Sequence, residues 1–427
     1  MVKLEYALQR YASHNLRLEI NTLHEQRLEP ANGLPYQGSD LTAIQSLYGN
    51  IFKRALPNIE LHDSTNRLKG NLHIGFVVTN GHEGVFMKCM AGMVNHFNTA
   101  RFDVTVVCSL PNGQEKLKPA ITNPAVRFLS IPKQMDQAIH LMLKAQFDAL
   151  LYWEVGTDYQ NYFLPFFRLA PIQCATWGWP VTTGIANIDY FLSCQLLEIE
   201  EAQQHYTEKL ILLKKLPTYY LRPPVPNLLE ELESFGLPSD VPVYLCVQNL
   251  RKVHPHFDYL VHAILNRDEK GIVVFINDTH THITELLKAR VQKNCKNHAH
   301  RIVFLARMSE ERYLNLVAKV HVILDTLYYN GGANTAYDAF AAGTPYVTLP
   351  WDFHRGRYGA AAYQQIGVDD AIATDLGDYV AKAIHIANDS VYRKTLSEKI
   401  LANAHKVFED MEAVREVERF FWEKLKR

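Results

Sequence analysis

Two series of short apolar runs constrain this chain more than any other feature. The first series is LHIGFVV, FDVTVVCS, VRFLSI, FDALLYWE, PIQCATW and IDYFLSC. The second is PVYLCVQ, GIVVFIN, RIVFLA, HVILDT and TPYVTLP. Runs this short, rich in Val, Ile and Phe, read as strands buried on both faces. Polar loops and helical patterns separate them, and strands alternating with helices build a parallel sheet. A proline cluster, PTYYLRPPVPN, lies between the two series. Two α/β units are therefore expected, which suits a chain of 427 residues.

We place a helical segment at residues 1–65, a first α/β domain at 66–220 and a second at 221–427 with terminal helices. The helical segment is broken by LEPANGLPYQGSD, and the tail ends in VREVERFFWEKLKR, whose Phe420, Phe421 and Trp422 should pack back on a domain. No self-similar repeat is evident. Apolar residues make up 48% and charged residues 21%, with a net charge of −1, so neither nucleic acid nor an anionic membrane surface is expected as the main partner. No apolar run approaches the ~18 residues of a membrane span. The opening MVKLEYALQRYASHN is a polar helix pattern rather than a signal peptide. The six cysteines are scattered without a CxxC pair, as in a reduced, cytoplasmic protein.

Doubly wound units take their ligands at the carboxyl ends of their strands, and two in tandem usually take them in the cleft between. The loops after strands are thus where chemistry is expected. One of them stands out, in LDTLYYNGGANTAYDAFAAGTPYVTLP. A strand ends at LDT, a helix runs through TAYDAFAAG, and Asn330, Gly331, Gly332, Ala333, Asn334 and Thr335 lie between. A helix N-terminus exposes amides and attracts phosphate, and glycines let it come close. Asn334 and Thr335 can cap the helix or donate from their side chains. Asp338, one turn in, can accept from a ribose hydroxyl. The plain alternative is a tight turn that needs flexible residues.

This segment resembles the donor-site segment of the protein O-GlcNAc transferase family, which includes O-fucose and bacterial N-glucosyltransferase relatives. APIQCATWGWPVTTGIANIDYFLSC is similar to a second segment of that family, and RIVFLARMSEERYLNLVAKVHVILDT follows its pattern too. The resemblance spans roughly residues 71–408. It implies a GT-B fold, with two facing Rossmann-like domains, the second holding a nucleotide-sugar. It also implies inverting, metal-independent transfer to a protein or peptide, with no cofactor beyond the donor itself. The absence of any Asp-x-Asp triplet agrees with metal independence.

The resemblance also singles out residues. Lys252, in VQNLRKVHP, matches a family lysine and would neutralise a diphosphate leaving group, with Asn249 assisting. Neighbouring Arg251 and His254 could reach phosphate as well. His82, in TNGHEG, matches a family histidine and is a candidate general base. Glu154, with Asp158 nearby, follows FDALLYW and is the alternative base. The best-known members lack an acid here, so the base assignment stays open. Gly178, Pro180, Thr182, Thr183 and Gly184 are expected to shape an acceptor-side loop. Of His354, Arg355 and Arg357, only Arg357 carries over. The histidine pairs His254/His256 and His280/His282 lack a third metal ligand at suitable spacing and read as solvated.

The expected function is transfer of a sugar, UDP-linked rather than GDP-linked, to a protein Ser/Thr hydroxyl, or second to an Asn amide. The rivals are a non-catalytic GT-B subunit that stabilises or targets a partner glycosyltransferase, and a sugar-nucleotide epimerase. About 70 residues precede the first strand, too few for the helical-repeat array many relatives carry. Acceptor recognition is then expected from the short helices, the loops or a partner protein.

Overall fold

The computed structural model describes residues 2–12, 14, 16–31, 33–58 and 70–425 of the chain. These form two compact units. One comprises residues 1–34, 39–220 and 410–427; the other comprises residues 35–38 and 221–409. The boundary expected at residues 65 and 66 lies outside the described residues.

The first unit holds a seven-stranded sheet of β1 (Leu72–Val78), β2 (Phe102–Ser109), β3 (Arg127–Ile131), β4 (Ala149–Tyr152), β5 (Ile172–Thr176), β6 (Tyr190–Cys194) and β7 (Lys209–Leu213). The spatial order is β3-β2-β1-β4-β5-β6-β7, and every pairing is parallel. The central strands are buried along nearly their whole length, as their unbroken apolar composition requires. The sequence reading missed β7. Its residues KLILL lie at the sheet edge, half exposed, next to basic residues that mask the strand pattern.

The second unit holds a five-stranded sheet of β8 (Val243–Cys246), β9 (Ile272–Ile276), β10 (Ile302–Leu305), β11 (Val322–Leu324) and β12 (Tyr346–Val347). Its order is β10-β9-β8-β11-β12, again all parallel. Both sheets are Rossmann-like. In each, the strand order reverses beside the unit's first strand, next to β4 in one and β11 in the other. Chain leaving the carboxyl ends of two adjacent strands then diverges and leaves a crevice there.

The terminal helix corrects one expected assignment. Met411–Leu425 belongs to the first unit, not the second. Glu418 accepts the Asn98 amide at 2.6 Å, and Glu416 accepts those of Lys214 and Lys215 at 2.8 and 3.0 Å. Phe420 meets Tyr190 edge-on at 5.4 Å, and Arg101 lies 5.1 Å over the Trp422 ring. Buried carboxylates need such partners, and the first unit supplies them.

The N-terminal helices likewise join the first unit rather than standing apart. Helix Val2–Ala12 packs Leu8 on Ile44 and Ile51 of helix Thr42–Ala55. Phe52 of the latter sits edge-on to Tyr162 and Phe163 at 5.8 and 5.1 Å. At Gly49 this helix touches the loop after β5. A Cβ on Gly49 would lie 1.8 Å from the Gly184 carbonyl oxygen, and Gly184 itself has φ +69. Both positions require glycine for space or backbone conformation. Gly49→Ala should therefore push the helix off its seat and cost about 1–3 kcal/mol. Thermal unfolding followed by circular dichroism should show a lowered midpoint, by about 2–4 °C per kcal/mol for a unit this size; an unchanged midpoint would refute the close contact.

Candidate functional site

The polar clusters form where the strand orders reverse. In the first unit, the loops after β1 and β4 bring His82 and Glu154 together. His82 Nδ1 lies 2.6 Å from Glu154 Oε2, and Nε2 lies 3.6 Å from Asp158 Oδ2. Thr157 Oγ1 is 2.9 Å from His82 Nε2 and 3.1 Å from Glu154 Oε2. Thr157 has one hydroxyl proton and two takers. If it donates to Glu154, His82 Nε2 must donate to Thr157, as in an imidazolium. If His82 is neutral with its proton on Nδ1, Thr157 can donate to Nε2 instead.

Further residues brace the pair. Asp158 caps helix Tyr159–Phe163, accepting from the Gln160 and Asn161 amides, and also accepts from Thr79 Oγ1. Asn161 Oδ1 gathers the amides of Gly156, Thr157 and Asp158. Its Nδ2 donates to Thr157 Oγ1 at 2.6 Å and to Asp158 Oδ2 at 2.8 Å. Burial pulls the His82 pKa down, but the Glu154 hydrogen bond and the charges of Glu154, Asp158 and Glu83 outweigh it, leaving it above the usual histidine value. Burial raises the Asp158 pKa against the opposing pull of Thr79 and His82. Glu154 is 7% exposed, so its contact with His82 is shielded from water.

In the second unit, the loops after β8 and β11 bring together Lys252, Asn330 and Asp325. Lys252 Nζ donates to the Asn330 carbonyl at 3.0 Å and lies 4.7 Å over the Tyr329 ring. Desolvation lowers its pKa to about 8, against the attraction of Asp325. Asp325 is buried at the end of β11. Its Oδ1 accepts the Gly331 amide at 2.9 Å and its Oδ2 accepts Thr348 Oγ1 at 2.7 Å. Burial raises its pKa to about 6, against those hydrogen bonds and the Lys252 charge. Burial thus works against the charge on both groups, while their mutual attraction favours it.

The bare loop is explained residue by residue. Helix Gly332–Ala342 begins after Gly331, which has no side chain to cap it. A Cβ on Gly331 would lie 2.3 Å from Gln248 Nε2 and 2.6 Å from Thr335 Cβ. Gly332 has open space around it but sits at φ +61, which favours glycine. The Gly332 amide donates to Asn330 Oδ1 at 3.2 Å. Gly331 and Gly332 thus spend their amides inside the loop. Asn330 itself is buried, and its Nδ2 has no hydrogen-bond partner among the described residues. A buried amide donor left alone costs stability unless something meets it.

The other expected residues divide. Ala333 and Asn334 follow in the first helical turn, Ala333 buried and Asn334 half-buried. Thr335 is buried and accepts from Gln248 Nε2 at 2.9 Å, which ties the loop after β8 to the helix. Asp338 is buried against Tyr313, with which it shares a hydrogen bond. Asn249 is exposed and caps the Arg251 amide at 3.0 Å, while Arg251 lies 3.8 Å from Asp278. Arg357 donates to the Trp351 carbonyl at 2.8 Å. Gly178 packs on Trp153, and Thr182 and Thr183 donate to buried Glu208. Among the described residues no group of His, Cys, Asp and Glu could hold a metal ion. Nor is any helix among them long and apolar enough to cross a membrane.

Sequence reasoning did not assign Asp325, Tyr329, Thr79, Thr157, Asn161 or Gln248. Asp325 had a signal, the acid of LDT at a strand end; the others are ordinary polar or aromatic residues whose role depends on neighbours far along the chain.

Comparison with known proteins agrees with this architecture. Residues 222–410 match the family model Glycosyl transferase family 41. The chain is 22% identical over 371 residues to a probable UDP-N-acetylglucosamine–peptide N-acetylglucosaminyltransferase, SEC, of Arabidopsis thaliana, covering 82% of this chain and 37% of that protein. It is 23% identical over 232 residues to the corresponding SPINDLY protein of Solanum lycopersicum, covering 52% and 24%. The chain thus spans well under two thirds of these relatives' length. Among solved structures, an O-GlcNAc transferase mutant of Thermobaculum terrenum superposes with a TM-score of 0.77 at 19% identity, covering 99% of this chain and 80% of that one. HepE of Anabaena, in complex with UDP and glucose, gives 0.56 at 11% identity, covering 82% and 99%. The fold is therefore the GT-B fold that the motifs led us to expect, and residues 222–410 are similar to Glycosyl transferase family 41.

Proposed function

We propose that this chain is a glycosyltransferase that moves a sugar from a UDP-linked donor to a protein side chain, Ser or Thr before Asn. The observation that carries the reading is the Lys252 corner. A desolvated ammonium lies beside a helix N-terminus and a buried, unpartnered amide donor at Asn330. All three favour one kind of ligand, a compact anion such as a diphosphate. With Gly331 and Gly332 committed within the loop, the amides for that anion begin at Ala333. A charge that grows on the diphosphate as the sugar leaves is what such a corner stabilises best.

The first unit carries a candidate general base. Glu154 holds the His82 ring through Nδ1 and leaves Nε2 to accept a proton. In the reaction we propose, an acceptor hydroxyl displaces Thr157 at Nε2 and gives up its proton there. Its oxygen forms a bond to the anomeric carbon while the bond from that carbon to the diphosphate oxygen breaks. The electron pair leaves with the nucleotide, and attack from the opposite face inverts the configuration. No metal takes part in this scheme, because Lys252 and the amides meet the charge. The six cysteines, all buried and none in a disulfide, suit a reducing, cytoplasmic setting.

The second reading, a non-catalytic subunit that binds nucleotide and supports a partner transferase, keeps the Lys252 corner but makes no use of the His82–Glu154 pair. An epimerase would use the nucleotide site without a polypeptide acceptor. Incubation with UDP-sugars and a mixed peptide pool, read by intact mass, separates the three. Sugar mass on a peptide, unaffected by EDTA, supports a metal-independent transferase, and fragmentation then names Ser, Thr or Asn. UDP binding without any transfer would favour the subunit, and an altered free donor the epimerase.

Lys252→Ala should lower the transfer rate about 10²–10³-fold, the usual loss for one charge-stabilising donor. His82→Ala should lower it about 10²–10⁴-fold, the range for a general base. A variant with wild-type turnover removes that residue from the reaction.

The pH profile follows from the two shifted groups. His82 must be unprotonated to accept, so kcat/KM rises as pH climbs through a value above 6.5. Lys252 must be protonated to hold the diphosphate, so kcat/KM falls as pH passes about 8. Glu154→Gln removes the carboxylate that lifts His82, and the acid limb should move to lower pH while the alkaline limb stays. An acid limb that does not move would show that Glu154 does not tune the base.

A further inference from the structure

We propose that residues 35–38 are a strap that positions the Lys252 ammonium, with Tyr36 acting through Tyr329 as a positioning residue for the anion site. This rests on the diphosphate reading above and deepens it. The four residues precede the first unit's helix Thr42–Ala55 in sequence, yet they belong to the second unit. The chain leaves the first unit after Leu34, contributes Pro35, Tyr36, Gln37 and Gly38 to the second, and returns at Ser39.

Two separate routes run from this strap to Lys252. The first is aromatic. The Tyr36 ring meets Tyr329 edge-on, with centroids 4.9 Å apart and planes at 76°. Lys252 Nζ lies 4.7 Å over that same Tyr329 ring. A cation over a ring is held in place as well as the ring is. The second route is a line of hydrogen bonds. Arg355 Nε donates to the Pro35 carbonyl at 2.9 Å, the Asn330 amide donates to the Arg355 carbonyl at 2.8 Å, and Lys252 Nζ donates to the Asn330 carbonyl at 3.0 Å. Arg355 is 5% exposed, so its link to Pro35 is shielded.

The residue between the routes is under conformational constraint. Tyr328 has φ +67, a left-handed setting that a bulky side chain keeps only where packing enforces it. Gly38 lies against its ring, and a Cβ there would fall 2.6 Å from Tyr328 Cδ1. His256 Nδ1 lies 2.6 Å from the Tyr328 hydroxyl, and Trp351 meets the Tyr328 ring at 4.6 Å. The strap thus closes the packing that keeps Tyr328, Tyr329 and Asn330 in register under Lys252. A sequence reading sees LPYQG only as a break between helices.

The test is calorimetric titration of UDP into the full chain and its variants. Tyr36→Ala should bind UDP about fivefold more weakly, the scale of one lost aromatic pair. Tyr36→Phe keeps the ring and should restore wild-type affinity. In a Lys252→Ala background, Tyr36→Ala should cost nothing further, because its effect passes through the missing ammonium. Should Tyr36→Ala fail to fold, Gly38→Ala displaces the strap from the Tyr328 side and must show the same dependence on Lys252. Wild-type affinity in Tyr36→Ala, equal losses with and without Lys252, or a Phe variant as weak as the Ala variant would each overturn the strap's role while leaving the diphosphate reading intact. A wild-type chain that takes up no UDP would overturn both.

Discussion

The buried carboxylate of Asp325 is the constraint on which the second unit's site depends. It sits where β11 ends, and a charge there must be met by donors. Gly331 and Thr348 meet it, and they belong to two different segments, the start of a helix and the end of β12. Tyr379, from a third segment, donates to the same residue's carbonyl at 2.8 Å. One acid thereby fixes the bend of the chain, the position of the neighbouring strand and the field felt by Lys252. The loop is bare because Gly331 has no room for a Cβ beside Gln248 and Thr335 and Gly332 takes a positive φ, and the bend so formed brings the Gly331 amide to this carboxylate.

The two units solve related problems with opposite charges. Each places its polar cluster where the strand order reverses, because only there do adjacent strands send their chains apart. The first unit fills that place with His82, Glu154 and Asp158, tied by hydroxyl and amide side chains. The second fills it with Lys252, backbone amides and a carboxylate set behind them. The shifted pKa values express this difference. Nearby acids hold a proton on His82, while burial works against the charge on Lys252.

Much of this was legible in the residues. Eleven of the strands announce themselves as short apolar runs, the central ones because burial on both faces leaves no polar alternation to confuse with a helix. The bare loop, Lys252 and His82 were visible because each follows such a run, where doubly wound sheets keep their ligands. β7 was not visible, since Lys209, Lys214 and Lys215 flank its short apolar run. Nor was the tail's place in the first unit, because Glu416 and Glu418 look like solvated charges until their amide partners are known. The strap at residues 35–38 has no sequence signature at all, since edge-to-face packing asks only for a ring at the right distance.

The amino-acid sequence by itself determined two parallel α/β units and the loops in which chemistry would gather, because local apolar periodicity and turn composition are properties of neighbouring residues. Tertiary structure alone decided which of those residues act together. Asp325 with Thr348, His82 with Glu154, and Tyr36 with Tyr329 are separated by 23, 72 and 293 positions, and nothing local to either member encodes the pairing. Such pairs form when long-range packing lowers the local dielectric around them. That packing shifts the proton affinities of His82, Lys252 and Asp325 away from their ordinary values.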